Sequence, residues 1–143
     1  EFTVDCGTSD GISNGCIVIT SKGLVGIVYN AGPISSKVRC IVDDRNVLMA
    51  RISRNNALVR LTGMSNENYN HMLKLDRIAE QTTLFEGDTL VTAESGGVYP
   101  KGLVVGTVAK IQENNETGTR TAYVEPAVDF TSVSHVYILM PQQ

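Results

Sequence analysis

Two histidines and three cysteines are too few, and too scattered, to build a metal centre. Cys6, Cys16 and Cys40 include no Cys-x2-Cys pair, and His71 and His135 lie far from them and from each other, whereas a structural zinc site needs four closely spaced ligands. The cysteines read as small buried hydrophobes on strands, with a Cys6–Cys16 bridge across the intervening loop as the alternative. An odd count leaves one thiol over in either case. No metal or cofactor is expected. Tryptophan is absent, and the five tyrosines and three phenylalanines are not interleaved with basic residues, as a single-strand binding platform requires. Twelve Lys and Arg against fifteen Asp and Glu, a net charge of -3, leave no basic stripe, so nucleic acid is not an expected partner. No apolar run approaches the ~20 residues of a membrane helix.

Hydrophobic residues at 42% and charged residues at 19% exclude a disordered chain. A length of 143 residues suits one domain or two small packed lobes with a sizeable core, and the piece reads as soluble and globular. It begins at Glu1 rather than Met and enters EFTVDC, a strand-like run, with no signal peptide. A natural segment is expected to precede it, unless Glu1-Phe2 is a cloning remnant.

What the chain does contain is a repeat. CIVITSKGLVGIV at 16–28 returns as TLVTAESGGVYPKGLVVGTV at 89–108, each an apolar strand ending in Thr, a turn, Lys-Gly-Leu-Val and a second strand with an early glycine. Lys22 matches Lys101, Gly23 Gly102, Leu24 Leu103, Gly26 Gly106 and Val28 Val108. A β-rich stretch follows each copy, VRCIVDDRNVLMARI in one and TAYVEPAVDFTSVSHVYIL in the other, while 57–78 has no clear counterpart.

Periodicity predicts strands almost throughout: near 1–6, 16–20, 24–29, 38–44, 46–53, 57–63, 71–78, 89–93, 103–112, 121–126 and 135–140. The pair 38–44 and 46–53 reads as a hairpin, the second alternating Val47, Met49, Arg51 and Ser53 against Leu48, Ala50 and Ile52. Turn signals every 8–12 residues then describe an all-β protein of two small packed barrels of short, mostly antiparallel strands. The lobes are placed at 1–56 and 57–143, with the C-terminal strand either in its own lobe or exchanged to complete the first.

Gly23, Gly26, Gly96, Gly97, Gly102 and Gly106 read as turns and barrel corners, where a strand bends or backbones approach closely. A phosphate-cradling loop would have to open a helix, and no helical pattern follows. Glu94-Ser95-Gly96-Gly97 resembles the nucleophile motif of the chymotrypsin-like proteases, with His71 and Asp76 or Asp88 preceding it in the right order. The spacing argues against it: only 25 residues run from His71 to Ser95, whereas those roles come from points spread over both barrels. Ser95 is read as a turn residue. Asp43-Asp44 and Glu86 with Asp88 are read as turn carboxylates, His135 as an edge histidine, and Asn115-Glu116-Thr117 as a glycosylation acceptor in a polar loop. No enzymatic activity is expected.

Taken in order, Glu86-Gly87-Asp88, Leu90-Val91-Thr92, Gly96-Gly97-Val98-Tyr99-Pro100-Lys101-Gly102 and Val105-Gly106-x-Val108 resemble the signature of the MreC family of bacterial rod shape-determining proteins. Upstream, Gly7-x-x-Asp10-Gly11, Gly15, Val18, Gly23-Leu24-Val25-Gly26-x-Val28, Ser36 and Val42-Asp43 fit as well, as do Val124-x-Pro126 and Asp129 near the end. Ala93-Glu94 stands where the family usually has Ser-Gly, and Tyr99 where Phe is common; the first change puts that turn's conformation in doubt, not the fold.

The resemblance implies the extracytoplasmic β-rich region of a periplasmic protein held at the inner membrane by an N-terminal helix. It implies a non-enzymatic scaffold of the cell-elongation machinery, linking MreB and MreD to a class B penicillin-binding transpeptidase and its glycosyltransferase partner, and associating with itself as dimers or filaments. An exported domain meets an oxidising compartment, which favours the Cys6–Cys16 alternative. Tyr99-Pro100, in the long turn of the second copy, is expected to lie exposed and to help dock a partner, against the alternative that Tyr99 covers a barrel end. A carbohydrate- or peptide-binding β module is the other functional class the residues allow.

Overall fold

Alternating apolar residues turn into strands that pair both with their neighbours in the chain and with partners further along it. The computed structural model describes residues 2–43, 47–64, 72–76, 78, 82–93, 99–113, 116, 119–129 and 135–139, with Asp76 described by its backbone alone. Among these, β1 (Phe2–Val4), β2 (Ile17–Thr20), β3 (Gly23–Ala31), β4 (Ser36–Cys40), β5 (Val47–Ile52) and β6 (Leu58–Met64) precede β7 (Met72–Asp76), β8 (Thr89–Thr92), β9 (Val104–Glu113), β10 (Arg120–Pro126) and β11 (Tyr137–Leu139). There is no α-helix among the described residues, only a 3-10 turn at Thr8–Asp10. The all-β antiparallel reading holds.

The strands form two assemblies. One is a closed barrel in the order β10-β7-β6-β5-β8-β9; the other is a five-stranded sheet in the order β1-β4-β3-β2-β11, open between β1 and β11. On β5 and β6 the period of two decides which side chains face in: Leu48, Ala50 and Ile52 with Val59 and Leu61 are buried, while Val47, Met49, Arg51, Leu58 and Arg60 face out. The barrel core gathers Leu48, Ile52, Leu61, Leu73, Leu75 and Leu90. A smaller cluster of Ile12, Cys16, Val18, Val25, Val28, Val38 and Val128 underlies the open sheet.

The two hairpins agree in register from Gly26/Gly106 onward, whereas Leu24 takes the place of Val104 and not of Leu103, the one extra valine of the second copy being absorbed before the bulge. Val18↔Gly26 and Ile19↔Leu24 in the first hairpin correspond to Leu90↔Gly106 and Val91↔Val104 in the second, and each has its bulge at the same step. Val28↔Val38 corresponds likewise to Val108↔Val124, and Phe2↔Val38 to Leu73↔Val124. Thus β1, β2, β3 and β4 stand in the open sheet where β7, β8, β9 and β10 stand in the barrel.

The fifth strand of each half crosses over. Residues 38–44 and 46–53 do not form the expected hairpin: β4 pairs with β1 and β3, whereas β5 joins the barrel between β6 and β8. β11 makes the reciprocal move and pairs with β2, with Ile138↔Val18 matching Ile52↔Leu90. The linking segments follow, since Val42 is buried in the barrel core and Val128 in the core of the open sheet. The sheets therefore divide the chain differently from the contiguous stretches 1–56 and 57–143, since β5 lies in the barrel and β11 in the open sheet. Among the described residues β6 has no counterpart, and it is the strand that bridges β5 and β7 to close the barrel.

Candidate docking surface

The long turn between β8 and β9 is folded back on itself by one threonine. Thr92 Oγ1 donates to the Pro100 carbonyl at 2.5 Å and accepts from the Leu103 N–H at 2.9 Å. The Thr92 N–H donates to the Leu103 carbonyl, and the Gly102 N–H to the Thr92 carbonyl. Gly102 turns the chain at φ 88° with open space around it, the left-handed conformation that glycine adopts without strain. The consequence corrects the expectation for Tyr99. It is 8% exposed and belongs to the barrel core, and Pro100 is half-buried, because the threonine clasp draws this side of the turn inward. Its burial fits the alternative reading, in which Tyr99 covers a barrel end. Gly96 and Gly97, expected as turn residues, lie outside the described residues.

Gly23 serves the packing of the lobes. A Cβ placed there would lie 2.5 Å from the Val104 carbonyl oxygen and 3.2 Å from Cβ of Ala127, so the tip of the first hairpin rests directly on the start of β9.

The titratable residues that sequence reading picked out are spread apart. Asp88 is buried and accepts two hydrogen bonds from Arg54, at 3.0 Å from Nε and 2.9 Å from Nη2, and a third from the Phe85 N–H. The Arg54 hydrogen bond holds the Asp88 carboxyl below its ordinary range despite burial, and the carboxylate in turn raises Arg54. Arg54 also covers the exposed Phe85 ring at 4.7 Å and donates to the Thr83 carbonyl. This clasp fastens the β5–β6 turn to the segment entering β8. Glu86 is an exposed turn residue beside it, and His135 is exposed at the foot of β11. Asp43 turns the chain after β4, its N–H donating to the Cys40 carbonyl. His71, Ser95, Asp44, Asn115, Thr117 and the Asp76 side chain lie outside the description. No group of three or more metal-ligating side chains occurs among the described residues. Cys6, Cys16 and Cys40 are all thiols, with Cys16 buried against Ser13; burial, then Asp10 and Asp5, push the Cys6 thiol up.

What the molecule offers outward is apolar surface on sheets. Ile34, Tyr137 and Phe85 stand out singly. On the outer wall of the barrel, exposed Val47 and Leu58 share a face with Met49, Met64 and Met72, three of the four methionines, beside Arg51, Arg60 and Lys74. Adaptable thioethers among cations suit a surface that meets another protein. The alternation Val47, Met49, Arg51 carried this signal in the sequence.

The model of the rod shape-determining protein MreC family, barrel core, matches residues 1–140. The cell shape-determining protein MreC of Listeria monocytogenes is 28% identical over 142 residues, 97% of this chain and 48% of that protein; the chain spans about half the length of such relatives. In structure it is similar to MreC from Pseudomonas aeruginosa at a TM-score of 0.89 and 24% identity, covering 96% of this chain and 87% of that one. It is similar too, at a TM-score of 0.63 and 20% identity over 85% of this chain and 74% of that one, to a chain in the complex between penicillin-binding protein PBP2 and MreC from Helicobacter pylori. These structural likenesses establish a shared fold.

Proposed function

This chain belongs to the MreC family of rod shape-determining proteins, and from that premise we propose that it is a non-enzymatic docking platform of the bacterial cell-elongation machinery. It acts outside the cytoplasmic membrane and links peptidoglycan synthases, a class B penicillin-binding transpeptidase and its glycosyltransferase partner, to the cytoskeletal and membrane partners MreB and MreD. It also associates with copies of itself.

The observation that carries the reading is the family match over nearly the whole chain. The H. pylori complex of MreC with PBP2 supports the transpeptidase as a partner. The architecture is of the kind such a role needs: two interleaved β assemblies hold their outer faces and edges in fixed relation, and sheets recognise other chains by strand pairing or apolar patches.

Sedimentation of the protein across concentration, alone and with the extracytoplasmic part of the elongation transpeptidase, tests it. Co-sedimentation is expected, together with a concentration-dependent shift for the chain alone. A strict monomer that ignores the transpeptidase would overturn the proposal.

A further inference from the structure

The sequence holds one Asn-Gly pair, Asn14-Gly15, and the fold asks for both of its members. Residues 13–16 make a tight turn into β2, with the Cys16 N–H donating to the Ser13 carbonyl at 3.2 Å. Gly15 takes the third position of that turn at φ 96°, a left-handed conformation that glycine holds without strain. Asn14 supplies a latch across to β3, its Oδ1 accepting from the Ala31 N–H at 2.8 Å. The Gly15 N–H donates to the Val28 carbonyl at 2.8 Å, and the Val28 N–H returns a bond to the Cys16 carbonyl at 2.9 Å. Cys16 is 0% exposed in the cluster under the open sheet, and Ile12 of the same loop is buried in that cluster too. Main chain and side chain together pin the turn, while Asn14 itself lies at the surface.

Asn-Gly is also the pair in which a peptide chain most readily attacks itself, because glycine puts no side chain in the way of its own nitrogen. The Gly15 nitrogen, having lost its proton, bonds to Cγ of Asn14; the bond from Cγ to the side-chain nitrogen breaks, and ammonia leaves with the proton. Water then opens the cyclic imide at either carbonyl. One opening gives aspartate, and the other gives isoaspartate, whose main chain runs through the former side-chain carbon. In the closed turn both reacting groups are engaged elsewhere, the Gly15 N–H on Val28 and the Asn14 amide on Ala31. Deprotonation of a hydrogen-bonded amide waits for local opening, as it does in hydrogen exchange.

We propose that Asn14-Gly15 is a modification site gated by the fold: it deamidates only while the 7–15 loop is open, and so fixes a transient opening as a permanent change. The two products differ in consequence. Aspartate at position 14 keeps an oxygen for the Ala31 N–H and lets the loop close. Isoaspartate adds one main-chain carbon before Gly15, which carries the Gly15 N–H and Cys16 out of register with Val28. The loop then stays open over an apolar cluster that includes Ile12 and Cys16. Nothing in this depends on the docking-platform reading.

The full natural chain is incubated in mildly alkaline buffer, folded and fully denatured, and the amide-to-acid mass gain is mapped by peptide mass spectrometry beside hydrogen exchange at Gly15. Conversion at Asn14 is expected to run about tenfold or more slower in the folded chain, since opening precedes chemistry. Denaturant below the main unfolding transition is expected to raise conversion in step with Gly15 exchange. Ile12→Ala, which loosens the loop, is expected to raise both by about tenfold or more, with β9 and β10 exchanging as before. Among the products, the isoaspartyl chain is expected to lose protection at Val28 and Ala31, and the Asn14→Asp variant to keep it. Three results would each overturn the proposal: conversion in the folded chain at the denatured rate; conversion that stays constant while denaturant or Ile12→Ala quickens Gly15 exchange; or an isoaspartyl chain whose Val28 and Ala31 amides are as protected as the parent's.

Discussion

Gly26 and Gly106 occupy one place in two lobes: a Cβ on Gly26 would lie 2.1 Å from the Arg39 carbonyl oxygen, and one on Gly106 2.2 Å from the Glu125 carbonyl oxygen. Each sits beside the bulge of its hairpin and lies against the main chain of the strand paired on its other side, β4 for Gly26 and β10 for Gly106. Neither backbone position has room for a methyl group, since the obstacle is main chain on both sides. Gly26→Ala and Gly106→Ala are each expected to cost about 1–3 kcal/mol, as overpacking of a close-packed site does. Gly102→Ala, in open space at φ 88°, is expected to cost about 1–2 kcal/mol through backbone strain alone. Denaturant midpoints of the three variants check the ranking; a Gly106→Ala protein as stable as the parent would show that the strands can part there.

Asp88 and Arg54 make a pH-dependent fastening. The Asp88 carboxyl is held below its ordinary range in the folded protein, first by the Arg54 hydrogen bond, so its contribution is complete above the unfolded value of about 3.9. It is lost as pH falls through the lower folded value. Arg54 is substantially exposed, so solvent screens the pair and the effect is modest. Asp88→Asn is expected to lower Tm by about 2–5 °C near pH 7, and the gap to the parent should narrow as acid protonates Asp88 in the folded protein. Melting curves from pH 7 to pH 2.5 check this; a gap that persists in acid would assign the loss to packing instead.

Most of this fold was legible because its strands carry a clean period of two. Leu48, Ala50 and Ile52 against Val47, Met49 and Arg51 gave β5 its face as well as its span, and the Lys-Gly-Leu-Val repeat placed equivalent hairpins correctly. What local pattern does not encode is the partner of a strand. β4 and β5 follow closely in sequence as hairpin strands do, yet Ile41 and Val42 between them are buried and the two strands join different sheets. Tyr99 failed for a related reason. An aromatic in a Gly-Pro turn looks exposed until Thr92 is seen to bind both Pro100 and Leu103 and turn it inward. The methionine-bearing outer face of the barrel was legible only as alternation, since Met49, Met64 and Met72 come together through strand register.

Tyr99 should now behave as a core residue. Its ring is part of the barrel's apolar cluster, so Tyr99→Ala is expected to lose about 3–5 kcal/mol, in the range for truncating a buried aromatic. Tyr99→Phe keeps the ring and is expected to cost about 1 kcal/mol or less. Urea titrations of both variants check it. If Tyr99→Ala were near neutral in stability and instead weakened partner binding, the turn would have to open in solution and expose the ring.

The exchange of β5 and β11 predicts that the two contiguous stretches are not separable. A fragment 1–56 carries β5 without β6 and β8, between which it lies, and a fragment 57–143 has a barrel lacking β5 and a β11 with no β2 to pair with. Opening the barrel beside β8 leaves Leu90 and Leu61 without the apolar side chains opposite them on β5, a loss of several fully buried side chains at about 1.5–3 kcal/mol each. That exceeds what a marginally stable domain can give up. Each fragment alone is expected to show a poorly dispersed amide spectrum, and an equimolar mixture to recover the dispersion of the whole chain. The cut falls in the exposed turn at Asn55 and Asn56, so the break itself costs little. Deleting 135–143 from the whole chain is the milder test: exchange should quicken in β2 while the barrel strands β9 and β10 stay protected. A well-dispersed spectrum from 57–143 alone would mean that the second lobe folds without its borrowed strand, and the interleaving would then be a docking of two finished units.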